Sequence, residues 1–293
     1  MLGLLGWAVA AFVGVALLII AMRPPVPPGD STGVTRTKIA LPDDQRQPRL
    51  LQSPLAITRD GSMLGYVARG GDGIIRLYLR PLDSYEHRVV PGSENARAPF
   101  FSPDGEWIGF FSNGGLRKSR VDGGQPFKLT SVSSLAFGAS WGSDGTIVYA
   151  ANITAGLWRI SEDGGEPMQL TQPDFERGGY AHVWPRHLPG GRHVIFSVWG
   201  GNHAGQVLDL RTGTASIIRE NMAAGGARIL PSGHLIHADV KGSGRLLAAP
   251  FDLESRELLG PAVPVLDDVR YFDSQSATPY LTVSDTGTAV YVS

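Results

Sequence analysis

The chain contains no cysteine, which excludes disulfides, thiolate metal sites, iron–sulfur clusters and cysteine nucleophiles. Charge is scarce too: 18% of the 293 residues are charged, and 26 basic against 27 acidic side chains leave a net charge of −1. Without a basic excess there is no footprint for a phosphate backbone, so nucleic acid is excluded as a partner. Glycine and proline are plentiful, 38 and 21 residues, about a fifth of the chain against roughly 12% in average usage. With 42% hydrophobic residues a core can form, so most of the chain is expected to be ordered. Many turns, few charges and an adequate core point to an all-β protein of short strands.

One hydrophobic run stands apart. Leu2 to Met22 has no charged residue; as a helix it is about 31 Å long and matches the ~30 Å hydrocarbon core of a bilayer. A cleaved signal peptide fits less well, because no basic residue precedes the run, its length exceeds the usual ~7–15 residues, and no small-x-small site ends it. The expectation is a transmembrane helix over residues 1–22, contacting the lipid bilayer through residues 2–22, followed by a stiff Pro-rich linker over 23–34. Arg23, Arg36 and Lys38 follow the run and no basic residue precedes it. That count favours a cytoplasmic C-terminal side, unless a cytoplasmic domain precedes Met1.

From Ser53 onward the chain repeats. A tight turn followed by an apolar strand recurs as TRDGSMLGY (Thr58 to Tyr66), SPDGEWIGF (Ser102 to Phe110) and GSDGTIVY (Gly142 to Tyr149). Looser copies begin at Leu188, Leu230 and Ser284. Asp60, Asp104, Asp144, Gly190, Ser232 and Thr286 occupy the same turn position, at steps of 44, 40, 46, 42 and 54 residues. Asp-Gly between apolar runs signals a hairpin, here expected as a type I′ turn with positive φ at both central residues. A second hairpin follows at a matching offset, as from Arg76, Gly115, Gly156, Gln206 and Arg245. Four strands per 40–46 residues is the arithmetic of a β-propeller blade. Runs such as Trp107–Phe111 and His193–Trp199 are apolar nearly throughout, as strands covered on both faces are. The expected fold is all-β, a propeller over 35–293 of about six four-stranded blades, five complete and a sixth partial from Tyr280 to Val292. Residues 35–41 are expected to close the ring as a strand of that last blade.

The Ser-Pro-Asp-Gly turn with an apolar strand behind it, without Trp-Asp dipeptides, resembles the TolB-type or WD40-like propeller repeat. Leu77–Asp83, Pro99–Phe111, Gly138–Ala150 and the Asp-Gly-Gly-x-Pro linkers at 122–126 and 163–167 carry a narrower likeness, as does the order of helix, spacer and propeller. The chain resembles the extracytoplasmic C-terminal half of bacterial transmembrane serine/threonine protein kinases. No Gly-rich loop, His-Arg-Asp loop or Asp-Phe-Gly is present, so no kinase residue is carried over.

Candidate site residues are those expected just before inner strands, at the channel mouth: Arg97, Tyr180, His182 and Arg228. Gly138-Ala-Ser-Trp-Gly142 matches the nucleophile elbow, but an Asp-Gly hairpin follows where a helix is required. His182, His187 and His193 invite a metal ion, yet their spacing is weak, and His234 and His237 fall on opposite strand faces. No metal, no cofactor and no catalytic residue are expected, and the chain reads as a non-enzyme. The resemblance implies a membrane-anchored, extracytoplasmic (periplasmic) sensor in the inner membrane that binds a protein or small envelope ligand on a propeller face. A TolB-like scaffold for envelope proteins is the alternative, and the propeller of a prolyl-oligopeptidase-like hydrolase a minor one.

Overall fold

The computed structural model describes residues 37, 39–133, 135–176, 178–200, 204–220, 223–238, 244–271 and 278–293. The expected membrane helix at 1–22 and linker at 23–34 lie outside them. Among the described residues no helix is long and apolar enough to cross a membrane. The chain divides into Met1–Leu41 and Pro42–Ser293. All of 35–41 belongs to the first unit and only 37 and 39–41 are described; these four form no strand.

The second unit is a five-bladed β-propeller. Blade 1 runs β1 (Leu55–Ile57), β2 (Met63–Arg69), β3 (Ile75–Pro81), β4 (Arg88–Val89). Blade 2 has β5 (Arg97–Phe101), β6 (Trp107–Ser112), β7 (Gly115–Arg120) and β8 (Phe127–Ser131). Blade 3 has β9 (Ala139–Trp141), β10 (Thr146–Ala150), β11 (Leu157–Ser161) and β12 (Gly164–Gln169). Blade 4 has β13 (Ala181–His187), β14 (His193–Trp199), β15 (Ala204–Asp209) and β16 (Ala215–Glu220). Blade 5 has β17 (Ala223–Ile229), β18 (His234–Ala238) and β19 (Leu246–Asp252), with β20 (Glu257–Leu258) and β21 (Val263–Leu266) both pairing with β19. Where a sixth blade was expected to begin, the chain forms only a two-stranded sheet, β22 (Leu281–Val283) with β23 (Ala289–Tyr291).

First strands of successive blades touch in the order β1, β5, β9, β13, β17, and β22 touches both β17 and β1. The ring of inner strands is therefore closed. Facing blades bury their apolar sides against each other. Phe100, Phe111 and Leu116 of blade 2 share one cluster with Trp141, Ile147 and Ile160 of blade 3, and Leu188, Ile195 and Val207 of blade 4 share another with Ile229 and Leu235 of blade 5. Across β5 and β6, Phe100 pairs with Gly109, and its ring fills the space where a side chain on that glycine would stand. At the seam, Leu281 and Val283 pack on Ile236, Leu246 and Val269. The buried Tyr280 hydroxyl accepts from the Leu50 N–H at 2.7 Å and donates to the Leu50 carbonyl at 2.6 Å. Ser53 donates to the Leu281 carbonyl, and Gln52 reaches the Ala136 carbonyl at 2.8 Å. Leu50–Ser53 thus lies across the end of the ring where the inner strands start.

The repeated turns differ from the type I′ form that Asp-Gly suggests. Only the glycine has positive φ, 80° at Gly61, 76° at Gly105 and 74° at Gly145, and it donates to the carbonyl three residues back. This is a type I turn ending in a left-handed glycine; Pro103, with φ fixed near −65°, is compatible with type I and not with I′. The aspartate closes the turn from within: Asp104 accepts from the Ser102 hydroxyl at 2.5 Å and from the Glu106 N–H at 2.9 Å. Those bonds, Ser102 first, hold its pKa below the usual carboxylate value.

Two histidines are absorbed between blades. His182 shares a 2.7 Å hydrogen bond with Thr171 of blade 3 and packs on Phe196. His187 bonds the Ser140 hydroxyl at 3.1 Å. Burial pushes the pKa of each down to about 4.

Two outcomes follow from this packing. Tyr280→Phe leaves both Leu50 backbone groups unsatisfied and is expected to cost about 1–3 kcal/mol, a fall of several degrees in thermal midpoint by calorimetry. Because His182 and His187 bind protons more weakly folded (pKa about 4) than unfolded (about 6.5), stability falls as pH drops from about 6.5 towards 4. Melts between pH 7 and 4.5 should show that slope, and His187→Gln should flatten it.

Candidate functional site

The channel is open at the end where the inner strands run into their turns. A cavity of about 300 Å³ lies there, walled by residues of β1, β5, β9, β13, β17 and β22 and by the turns that follow them. One register position recurs on all six strands: Ala56, Phe100, Ser140, Arg186, Arg228 and Thr282 each line the cavity. A bulge sets that register on β13. Trp184, at φ 53°, precedes Pro185, and pairing resumes one residue out of step, with Arg186 opposite Ile195. β5 has the same device at Ala98 and Pro99. Proline cannot donate to the ladder, and one extra residue inverts the alternation beyond it. Arg186 therefore takes the place that Phe100 holds in blade 2.

Charge in the cavity is unbalanced. Arg228 is ion-paired with Asp285, and Arg59 stands 4.0 Å from the same carboxylate. Arg186 has no acidic group within ion-pairing distance among the described residues. Burial is the main cause that lowers its pKa, to about 10; Arg228 adds to this and Asp285 opposes it. His187, neutral by burial, also lines the wall, as do Ser102, Ser140, Ser143 and Thr282.

The four residues chosen from sequence do not converge. Arg97 begins β5, and burial lowers its pKa. Tyr180 precedes β13 and is 57% exposed, while His182, second in that strand, is buried between blades 3 and 4. These three lie at the strand-start end. Arg228 is next to last in β17 and lines the cavity at the other end, because that strand starts at Ala223. Arg186 and Arg59 were missed. Aligning the repeats on their turn glycines puts Arg186 in register with Arg228, a signal present in the sequence. Among the described residues no group of three or more His, Asp or Glu side chains is placed to hold a metal ion. Ser140, centre of the elbow-like motif, sits in β9, and the next turn leads to strand β10.

No protein-family model matches the sequence, and no curated protein does. Solved structures do match in fold. TolB from Acinetobacter baumannii superposes with a TM-score of 0.58 at 19% identity, over 73% of this chain and 54% of that one. A putative TolB from Agrobacterium tumefaciens gives 0.54 at 18%, over 73% of this chain and 80% of that one. An oligogalacturonate lyase from Vibrio parahaemolyticus gives 0.51 at 11%, over 82% and 85%. This chain thus spans about half the length of the Acinetobacter protein. The lyase corrects the expectation of a non-enzyme: the same architecture hosts catalysis, so the fold gives no ground for denying it, although no residue here is assigned a catalytic role. At these identities the likeness shows the fold alone, a β-propeller of the kind found in TolB.

Proposed function

We propose that this chain is an interaction module whose propeller receives a segment of a protein partner at the turn end of its channel. The observation that carries the reading is the open cavity with its excess of arginine, opposite an end crossed by Leu50–Ser53. The fold it shares with TolB supports a scaffold role in general. Rigid strands position the turns, and loops on such a frame commonly carry recognition.

Two further elements of the reading rest on sequence. The apolar run 2–22 and the Pro-rich stretch 23–34 support a propeller tethered to the inner membrane and held off the bilayer; its outer-side placement rests on the likeness to kinase-type receptors, against the count of Arg23, Arg36 and Lys38. The order of helix, spacer and propeller supports a second reading, in which the module is the sensing part of a kinase-type receptor. A partner then acts through the helix only if it binds two helix states with different affinity.

Photoreactive benzoylphenylalanine placed at Ser143 or Pro231, both at the cavity rim, should yield discrete protein adducts in the host cell. The same residue at Tyr85, 93% exposed in the turn between β3 and β4, should not. Equal labelling at all three positions, or none, overturns the reading. A reporter fused after Ser293 should be exported; retention in the cytoplasm removes the outer-side placement.

A further inference from the structure

The arginines at the channel mouth are more numerous than the fold needs. Ala56, Phe100, Ser140 and Thr282 show that the channel-lining register accepts small, aromatic or hydroxyl side chains. Two adjacent strands, β13 and β17, nevertheless place guanidinium groups there. Asp285 compensates one, pairing with Arg228 and standing 4.0 Å from Arg59. The charged groups lining the cavity are Arg59, Arg186, Arg228 and Asp285, and their sum is positive by two charges; the remaining titratable group, His187, is neutral. A largely buried cation without a counter-charge is costly, and such a cost is retained where function requires it.

We propose that this mouth binds an oxyanion, a carboxylate or phosphate group, with Arg186 as its principal anchor. The inference deepens the interaction reading above and rests on it for the source of the anion: an acidic or phosphorylated side chain on the partner segment. A guanidinium presents two parallel N–H donors that match either group, and in a site shielded from water the pair is stronger than at the surface. Arg59 and Arg228 add field but share the Asp285 carboxylate, so the anion is drawn towards Arg186. Hydroxyls of Ser140, Ser143 and Thr282 on the walls can serve the remaining oxygen lone pairs. A cavity of about 300 Å³ stands at the small end of ligand sites and suits one side chain with its oxyanion rather than an extended ligand.

Calorimetric titration of the full chain with succinate and with inorganic phosphate, at constant ionic strength set by chloride, tests this. One of the two should bind at a single site. Arg186→Gln should weaken it at least about tenfold, the loss of one charge-assisted pair. Arg76→Gln, on the outer part of blade 1, should leave it unchanged. Without anion, Arg186→Gln should melt at the same temperature as the parent or higher, because a half-buried charge in a cavity of net positive charge is gone. Arg186→Lys, which keeps the charge and loses the fork, should bind with intermediate affinity. Preference for succinate marks a carboxylate-bearing partner, and preference for phosphate a phosphorylated one. Absence of binding beyond chloride, or equal affinity in Arg186→Gln, overturns the proposal. If rim crosslinks persist in that case, the interaction reading stands and only the oxyanion falls; anion binding without crosslinks removes the partner and keeps the site.

Discussion

A blade has two apolar faces, and neither can be left in water, so the whole structure depends on the ring being closed. Five of the six junctions between neighbouring inner strands come from consecutive segments of chain, the fifth being Leu281 and Val283 sealing the side of blade 5. The sixth, between β22 and β1, joins residues more than two hundred positions apart, and there Tyr280 clasps the Leu50 backbone. A two-stranded sheet suffices because the innermost positions carry the burial. Leu281, Thr282 and Val283 are all buried, whereas β23 is largely exposed.

Closure also makes the two ends of the channel unlike. At one, Leu50–Ser53 spends its polar groups on the frame itself, through Gln52 on Ala136 and Leu50 on Tyr280. At the other, side chains from six strands meet with charges that do not cancel. The asymmetry gives the propeller a covered end and an open one, on the side of the glycine turns.

Much of this was legible in the sequence, and the reasons are local. The three Asp-Gly turns impose their own geometry through side-chain bonds to neighbouring N–H groups, so the repeat is visible before any long-range contact is known, although its six turn copies suggested about six blades where five form. The turn type was misread because Asp-Gly alone suggests I′, while the preceding proline or hydroxyl residue selects type I. Arg228 was assigned to the wrong end of its strand because β17 begins at Ala223, within a Gly-rich stretch that has no alternation. Arg186 escaped notice since its orientation depends on a bulge at Trp184–Pro185. Leu50–Ser53 has no periodicity at all, so its place across the ring was not legible; only the fold brings Leu50 to Tyr280. The fit of Phe100 over Gly109 likewise belongs to a cross-strand register that a linear reading does not contain.

The distance along the chain between Leu50 and Tyr280 has a consequence for how the propeller is made. Synthesis proceeds from the N-terminus, so Leu50 and the open side of β1 emerge early and wait while five blades are built behind them. Until the β22–β23 hairpin leaves the ribosome, the nascent propeller is a curved stack with two sticky ends, each able to meet another chain instead of its own partner. The β22–β23 hairpin acts as the latch, and any event that delays or removes it turns a closed ring into an assembly with a hydrophobic face on offer.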